Sequence, residues 1–392
     1  MSDRLNRPGI LTLVFAAAMM SAPAARAQLD PPSSGALFGF PGSFATPATP
    51  VSAGHALADR WLGDEPWDDP AAGGGRSTIQ GAMLYLREDR QDLRAENRQF
   101  DGGGGSIDFG SAALGVPLPG KLTGWLYTYR PEVRSEDVAF YLGSGTDPLQ
   151  PSALVTAQTL SKEARSGVGL SRGFGAMRLG LAIELTQRSD EWTRTLQSGA
   201  PESGTRHTQW DGTATGAQLG FRWTRGDSAA RSLTIGGGLR MIPELQVSGN
   251  NDTELLTGSS DSSVTTTRQS GWEGGLSAAY RITPEVRVLA GAGMRTAMDW
   301  SGLGLTSGRW SNGALAFDYH DPETPWTIRA GYALDQQDEV AESHAGTLGL
   351  SFGWDFGGGT VVELGGIHRS IHRSGEPSAY QDRVLLGFHL TL

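Results

Sequence analysis

Residues 177–185 read MRLGLAIEL and alternate between two kinds of side chain. The odd-numbered positions are large and apolar, namely Met177, Leu179, Leu181, Ile183 and Leu185. The even-numbered positions are charged or small, namely Arg178, Gly180, Ala182 and Glu184. Successive side chains of a β-strand point to opposite faces, so this period of two predicts a strand with one apolar and one polar face.

The same alternation recurs in residues 272–282, 326–335, 347–356 and 383–392, with charged residues on one face only. The apolar faces begin or end in aromatic residues, namely Trp223, Trp272, Tyr280, Trp300, Trp326 and Trp354. The opposite faces carry charges, namely Arg178, Glu184, Arg188, Arg222, Arg240, Glu273, Arg281, Arg287, Arg295, Asp299, Arg329, Asp335 and Asp355. A soluble β-sandwich also alternates, but aromatic girdles and a charged face suited to a narrow wet lumen favour a membrane barrel.

Connection lengths sort by parity along the chain. Strands are predicted at residues 77–89, 106–116, 121–131, 160–173, 176–194, 206–225, 231–248, 262–282, 285–300, 308–320, 325–336, 344–356, 359–372 and 380–392. Connections after odd-numbered strands are long and polar, whereas those after even-numbered strands are tight, as in Thr283-Pro284-Glu285. Outer-membrane barrels combine long extracellular loops with short periplasmic turns. The predicted fold class is therefore all-β, a membrane-spanning antiparallel up-and-down barrel of about fourteen strands with an N-terminal lumenal plug.

The N-terminus predicts export. Arg4 and Arg7 precede an apolar run at residues 10–20, and Ala25-Arg26-Ala27 follows, a pattern typical of a secretory signal peptide. Its predicted extent is residues 1–27, with cleavage near Ala27. The apolar run is shorter than the about 17–25 residues that a membrane-spanning helix needs. The predicted localisation is the cell outer membrane of a Gram-negative bacterium.

Composition narrows the possible partners. The 392 residues include 56 glycines and no cysteine, and the formal net charge is −10. A chain without cysteine forms no disulfides and offers no thiolate for catalysis or metal binding. An acidic chain without a basic cluster has nothing to draw it onto phosphate backbones, so no nucleic-acid partner is expected. The expected partners are outer-membrane lipid and lipopolysaccharide.

A segment before the first strand, residues 28–76, is rich in Pro, Gly, Ala and Ser. It also carries five aromatic residues, namely Phe38, Phe40, Phe44, Trp61 and Trp67. A lumen of about fourteen strands is too wide for wall side chains alone to fill. Disordered tails are usually poor in aromatics, which favours a plug in the lumen over a periplasmic tail. The predicted domains are a signal peptide (1–27), a plug or hatch (28–76) and a transmembrane barrel (77–392).

Two stretches resemble the long-chain fatty-acid transporter (FadL-like) family of outer-membrane proteins. The first comprises residues 52–59, SAGHALAD, and residues 63–72, GDEPWDDPAA. In it Asp69-Pro70-Ala71 stands where the family's hatch carries Asn-Pro-Ala, and Asp64 stands at an acidic position. The second, residues 113–122, is similar to that family's second hairpin. The resemblance implies that Asp64, Asp69, Pro70 and Ala71 are hatch residues.

The resemblance also implies passive uptake of hydrophobic compounds such as long-chain fatty acids or aromatic hydrocarbons. Hydrophobic small molecules would be captured by the loops, enter a lumenal pocket and leave past the hatch. Apolar residues of the connection 131–159 form a candidate capture loop or, equally, a lid, namely Val138, Phe140, Tyr141 and Leu142. Most inward charges are expected to form structural ion pairs, but five arginines are candidate contacts for a ligand headgroup, namely Arg178, Arg222, Arg240, Arg295 and Arg329. The alternatives are a structural or secretion-linked barrel that docks partner proteins, and a general porin.

No enzyme activity, cofactor or metal site is predicted. His368 and His372 flank Ser370, but positions four apart on a strand lie about 13 Å from each other and share neither a metal nor a proton. Residues 250–254, NNDTE, match no calcium loop. Glycine runs such as 102–105 open no predicted helix and lack a following Lys-Ser/Thr, so none is a phosphate loop.

Overall fold

The computed structural model describes residues 47–73, 76–91, 108–143, 151–197, 204–226, 231–255, 258–301, 305–338, 343–373 and 379–392. The predicted signal peptide and the first part of the predicted plug, residues 28–46, lie outside the described residues. In the described ranges no helix has the length and apolar character needed to span a membrane.

The described residues form one short helix and eighteen β-segments. In chain order these are α1 (Pro50–Gly54), β1 (Thr78–Gln91), β2 (Asp108–Leu118), β3 (Leu122–Gly143), β4 (Pro151–Phe174), β5 (Met177–Gln197), β6 (Gly204–Gly226), β7 (Ser232–Ile242), β8 (Leu245–Leu255), β9 (Gly258–Arg268), β10 (Gly271–Arg281), β11 (Val286–Arg295), β12 (Met298–Trp300), β13 (Leu305–Ser307), β14 (Arg309–His320), β15 (Trp326–Asp338), β16 (Ser343–Asp355), β17 (Thr360–Arg373) and β18 (Ala379–Thr391).

These segments form a closed antiparallel barrel. Segments β7 and β8, β9 and β10, β11 and β12, and β13 and β14 each make up one stave, meaning one full crossing of the wall. The barrel therefore has fourteen staves, and the predicted all-β fourteen-strand fold is confirmed. Hydrogen bonds between β1 and β18 close the sheet, with Thr78 opposite Thr391.

The two faces of the wall separate as the alternation predicts. On β5, Leu181 and Ile183 are 51% and 54% exposed, whereas Ala182 and Glu184 are 1% and 2% exposed. Outward apolar side chains recur round the barrel, namely Leu126, Val168, Leu219, Leu276, Leu315, Leu334, Leu348 and Phe388. A continuous apolar surface of this kind is unfavourable in water and suits the hydrocarbon core of a membrane.

One end of the barrel, called the turn end, is closed by tight connections. These include residues 119–121, 175–176, 282–285, 321–325 and 356–359. Gly120 and Gly175 have φ angles of 77° and 60° there, a left-handed conformation that glycine adopts without steric penalty. The opposite end is called the loop end.

The face assignment of two residues is wrong. Trp300 was expected in the outer aromatic girdle and Asp299 in the lumen, but Trp300 is 5% exposed and Asp299 is exposed. The stave breaks between β11 and β12, at residues 296–297. Met294 before the break is 57% exposed and Met298 after it is 4% exposed, so the break reverses which positions face inward.

Two predicted loops are strands instead. Most of the connection 131–159 belongs to β3 and β4, which pair as far as Gly143 and Pro151. Residues 249–261 similarly belong mainly to β8 and β9, so the acidic run 250–254 lies in a strand. Beyond the membrane a strand pair no longer needs an apolar face, so the sequence there lacks the alternation by which strands were recognised.

Candidate functional site

The N-terminal segment, defined as residues 47–73, is mostly buried although it contains no strand. Thr49 caps α1: its hydroxyl accepts a hydrogen bond from the Ser52 backbone N–H, and Ser52 Oγ accepts one from the Thr49 N–H. After α1, Ala56 and Leu57 have left-handed φ angles of 47° and 66°. Residues other than glycine keep this conformation only where their surroundings hold it, so the segment depends on its contacts with the wall.

The segment follows the inner wall round the barrel and contacts every stave. From Ala48 to Ala72 it meets, in order, Ser111 (β2), Gly387 (β18), Gly365 (β17), Gly349 (β16), Gly331 (β15), Asp318 (β14), Gly291 (β11), Glu273 (β10), Arg240 (β7), Arg222 (β6), Gly180 (β5), Ser171 (β4) and Trp125 (β3). The remaining stave, β1, contacts the segment outside this order, because Gln80 donates a hydrogen bond to the Asp64 carbonyl at 2.8 Å.

Glycines of the inner wall make this approach possible. A Cβ at Gly349 would overlap the Ala53 carbonyl, and a Cβ at Gly180 would overlap the Pro70 carbonyl. A Cβ would also come within 2.0–2.8 Å of the segment at other wall glycines, namely Gly220, Gly236, Gly238, Gly275, Gly291, Gly331, Gly365 and Gly387. A Cβ at Gly313, on the outward face, would meet nothing within 4 Å. The inner glycines therefore provide the space that the segment occupies.

Wall side chains donate hydrogen bonds to carbonyl groups of the segment. Trp125 Nε1 and Ser171 Oγ both donate to the Ala72 carbonyl, at 3.0 and 2.7 Å. Gln218 Nε2 donates to the Trp67 carbonyl at 3.0 Å. A buried carbonyl outside regular structure needs such a partner, so these bonds tie an irregular chain to a regular wall.

Asp69 of the predicted hatch triplet uses both carboxylate oxygens. Oδ1 accepts from the Ala71 N–H at 2.8 Å, and Oδ2 accepts from Arg222 Nη2 and Nε at 2.6 and 3.1 Å. An asparagine would accept the first bond, but only a carboxylate forms an ion pair with the guanidinium. Burial raises the pKa of Asp69 to about 6, although the Arg222 guanidinium acts to lower it.

The other predicted hatch residues differ in exposure. Pro70 and Ala71 are buried, and the Asp64 side chain is 69% exposed, 3.3 Å from Arg222. Of the four predicted hatch residues, Asp69, Pro70 and Ala71 are therefore packed against the wall, whereas Asp64 is not.

Arg240 lies at the centre of a buried charge cluster. It is 3.2 Å from the Glu184 carboxylate, 3.4 Å from Glu273 and 3.7 Å from Asp68. Arg60 of the segment shares two of these acids, at 2.6 Å from Glu273 and 3.2 Å from Asp68. Separating one partner of a buried pair leaves an uncompensated charge, so the cluster holds the segment to β7 and β10.

His55 is fully buried between two carboxylates. Its Nδ1 lies 2.7 Å from Asp59 Oδ2, and its Nε2 contacts the Asp318 carboxylate of β14. Arg287 and Arg329 lie 2.5 and 3.9 Å from the same Asp318 carboxylate. Burial lowers the pKa of His55, but the Asp59 and Asp318 carboxylates outweigh burial and raise that pKa overall.

A cavity of about 390 Å³ lies between the segment and the wall near the turn end. Its lining includes Asp59, Asp318 and Arg287 beside the polar wall residues His320 and His389. Apolar side chains such as Leu289, Val361 and Phe388 complete the lining, so the segment has a cavity of mixed polarity on the side of the tight turns.

The five arginines predicted as headgroup contacts fall into two groups. Four have partners at close range, namely Arg178 with Ser171, Arg222 with Asp69, Arg240 with Glu184 and Arg329 with Glu363. Arg295 lies over the Trp310 ring at 6.0 Å, but its Nε and Nη2 have no hydrogen-bond partner among the described residues. Arg240 and Arg329 each have one such nitrogen, Nε, but both also form the ion pairs named above, so Arg295 is the member of this set with two unpartnered donors among the described residues.

The predicted capture residues Val138, Phe140, Tyr141 and Leu142 lie in β3, opposite residues 153–157 of β4. Their side-chain positions are outside the described part of the structure. The backbone therefore places them in a hairpin at the loop end, not in an irregular loop.

The histidine-rich string on β17 forms two separate pairs. Ser370 Oγ lies 3.0 Å from His372 Nε2, whereas His368 Nδ1 lies 2.7 Å from Asp382. A Ser-His-Asp relay requires one histidine to bond both the serine and the carboxylate. Among the described contacts, these two pairs do not connect in that way.

Sequence reasoning missed the two carboxylates around His55 and the wall glycines opposite the segment. The glycines do carry a signal, because they fall on the charged face of their strands, close to the turn end. Small residues clustered at one height of an inner wall indicate that another backbone approaches there.

No protein-family model and no curated protein matches the chain. Solved structures do match its fold. A FadL homologue of Pseudomonas aeruginosa gives a TM-score of 0.63 at 13% identity, covering 88% of this chain and 98% of that chain. The toluene transporters TodX of P. putida and TbuX of Ralstonia pickettii give TM-scores of 0.62 and 0.59 at 12% identity, each covering 88% of this chain and 98% of theirs. The chain thus shares the FadL-like barrel fold.

Proposed function

We propose that the protein is an outer-membrane channel for passive uptake of hydrophobic compounds, closed at rest by the N-terminal segment. The path of the segment carries this proposal, because thirteen staves meet it in sequence between Ala48 and Ala72 and the remaining stave, β1, meets it at Asp64. The apolar outer face supports a membrane location. The matched structures described as a FadL homologue and as toluene transporters support a hydrophobic cargo.

Cargo would enter at the loop end and leave at the turn end. The hairpin of β3 and β4, with Val138, Phe140, Tyr141 and Leu142, would capture apolar molecules from lipid or lipopolysaccharide. Release would require movement of the triplet Asp69-Pro70-Ala71 away from β5 and β6, against which it packs. No energy source is needed for this route, because partitioning of the cargo drives it.

Arg295 would contact the headgroup of an anionic cargo. Its unpaired donors suit a carboxylate, and the adjacent Trp310 ring offers an apolar surface. A neutral aromatic hydrocarbon would gain nothing from these donors. Arg295 would therefore favour fatty acids over neutral hydrocarbons.

Uptake by cells that lack their own channels for hydrophobic compounds tests this function. Cells producing the protein should take up labelled long-chain fatty acid or toluene faster than cells without it. Arg295→Gln should slow fatty-acid uptake several-fold and leave toluene uptake unchanged. Arg178→Gln, which removes an arginine that already has a partner, is the matched control. Entry of small polar solutes without either hydrophobic probe would identify a general porin instead.

A further inference from the structure

We propose that one proton, shared among Asp59, His55 and Asp318, controls docking of the N-terminal segment, so that alkaline pH at the turn end loosens it. This rests on the proposed closing role of the segment. The consequence is a channel whose closure is strengthened by acid and weakened by base.

Proton counting at His55 carries the inference. Both ring nitrogens contact carboxylates, one of Asp59 and one of Asp318. A neutral imidazole has a single N–H, so it donates to one carboxylate and presents a lone pair to the other. Asp59, His55 and Asp318 are called the trio below. Both contacts become hydrogen bonds only when the trio holds one further proton, on the ring or on a carboxyl. The docked arrangement therefore requires that proton wherever it resides.

The surrounding charges keep the extra proton on the imidazole. The charged or titratable groups around the trio are Glu65 on the segment, Arg287 on β11, Arg329 on β15 and Glu363 on β17. Arg287 and Arg329 lie 2.5 and 3.9 Å from the Asp318 carboxylate, where their charges favour its anionic form, and neither arginine bonds to the ring nitrogens in the contacts described. The trio is thus one imidazolium between two carboxylates.

Protons reach the trio from the turn end. Asp59 and Asp318 both line the cavity on that side, whereas His55 itself has no exposed surface. Docking also holds Ala56 and Leu57 in left-handed conformations. Undocking would release that strain next to the very residue that loses its proton.

The sign of the pH effect follows from the raised pKa of His55. In the undocked segment the histidine has an ordinary pKa near 6.5. Its contribution to docking is fully present below that value and is lost as pH rises through the raised value. Between the two values a one-proton linkage changes the docking equilibrium by up to about tenfold per pH unit.

Hydrogen exchange measures this directly in the full-length protein in lipid nanodiscs. Protection of the amides in residues 50–59, corrected for intrinsic exchange and referred to β15, should fall by up to about tenfold per pH unit above pH 6.5. His55→Gln carries an amide with both donors and an acceptor that does not titrate, so its protection should lack this dependence. Asp318→Asn should also remove it, because a neutral histidine can then satisfy both neighbours. His320→Gln, which changes a histidine of the same cavity that bonds Thr327, should behave like the unmodified protein.

The outcomes separate the two proposals. An equal pH dependence in His55→Gln and in the unmodified protein, or protection that does not vary with pH, would overturn the proton control and leave the closing role intact. Absence of protection in residues 50–59 at every pH would show that the segment is not docked, which overturns the closing role as well.

Discussion

Leu348 and Gly349 are neighbours on β16, but their surroundings require side chains of opposite size. Leu348 faces outward and is 58% exposed, whereas Gly349 faces inward and has no room for a Cβ beside the Ala53 carbonyl. The outer face needs apolar bulk but no particular partner. The inner face at this height needs the absence of a side chain. The membrane thus determines the composition of one face, and a specific segment of the same chain determines that of the other.

A charge on the outer face should produce the largest loss of stability. Leu348→Arg places a guanidinium toward lipid near the middle of β16, which should lower the free energy of unfolding by about 2–4 kcal/mol. Urea titration of the barrel in lipid vesicles measures this. Val361→Arg, which faces the cavity, is the control and should have a much smaller effect. Equal losses in both variants would contradict the assignment of the faces.

Bulk on the inner face should act on the segment instead of the barrel. Gly349→Val forces the Ala53 carbonyl away and should weaken docking by about 1–3 kcal/mol, a typical cost of overpacking. Hydrogen exchange in residues 50–59 should speed up while the urea midpoint of the barrel stays nearly unchanged. Gly313→Val adds the same bulk on the outward face and should change neither quantity. Unchanged exchange in Gly349→Val would show that the segment does not occupy this space.

Loss of the Asp69 charge should have the smallest effect. Asp69→Asn keeps an acceptor for the Ala71 N–H and leaves Arg222 near Asp64, so docking should change by no more than about 1 kcal/mol. Because the pKa of Asp69 is raised from 3.8 to about 6, its protonation favours docking. That contribution is complete below pH 3.8 and is lost as pH rises through about 6. Hydrogen exchange of the segment between pH 4 and 7 should show this loss in the unmodified protein, and a comparable loss in Asp69→Asn would contradict it.

The alternation of Met177 to Leu185 predicted the wall because lipid and lumen act on every stave with the same period. The prediction failed where the strands lack this alternation or where a break in the strand changes its phase. Residues 131–143 and 151–159 belong to paired strands whose sequence lacks the alternation, and the break at residues 296–297 reverses the orientation of Trp300. Both features depend on tertiary pairing, which leaves no periodic signal in the sequence.

The candidate site was predicted only in part, because only some of its residues carry a local signal in the sequence. The aromatic residue Trp67 and the triplet Asp69-Pro70-Ala71 suggested a segment folded into the lumen, and Arg222 was expected to face inward. The trio around His55 joins residues 55 and 318 through a fold that has no local sequence pattern. Only the order of the staves brings Asp318 to that position.

Ion conductance in a planar bilayer tests the central claim, that the N-terminal segment closes the barrel. The intact protein should conduct poorly near pH 6, and the protein lacking residues 28–76 should open a steady channel, provided that its compact unheated gel mobility shows a folded barrel. The account predicts this contrast because about fourteen strands enclose a lumen that wall side chains alone do not fill. Steady conductance by the intact protein, unchanged by the deletion, would contradict it.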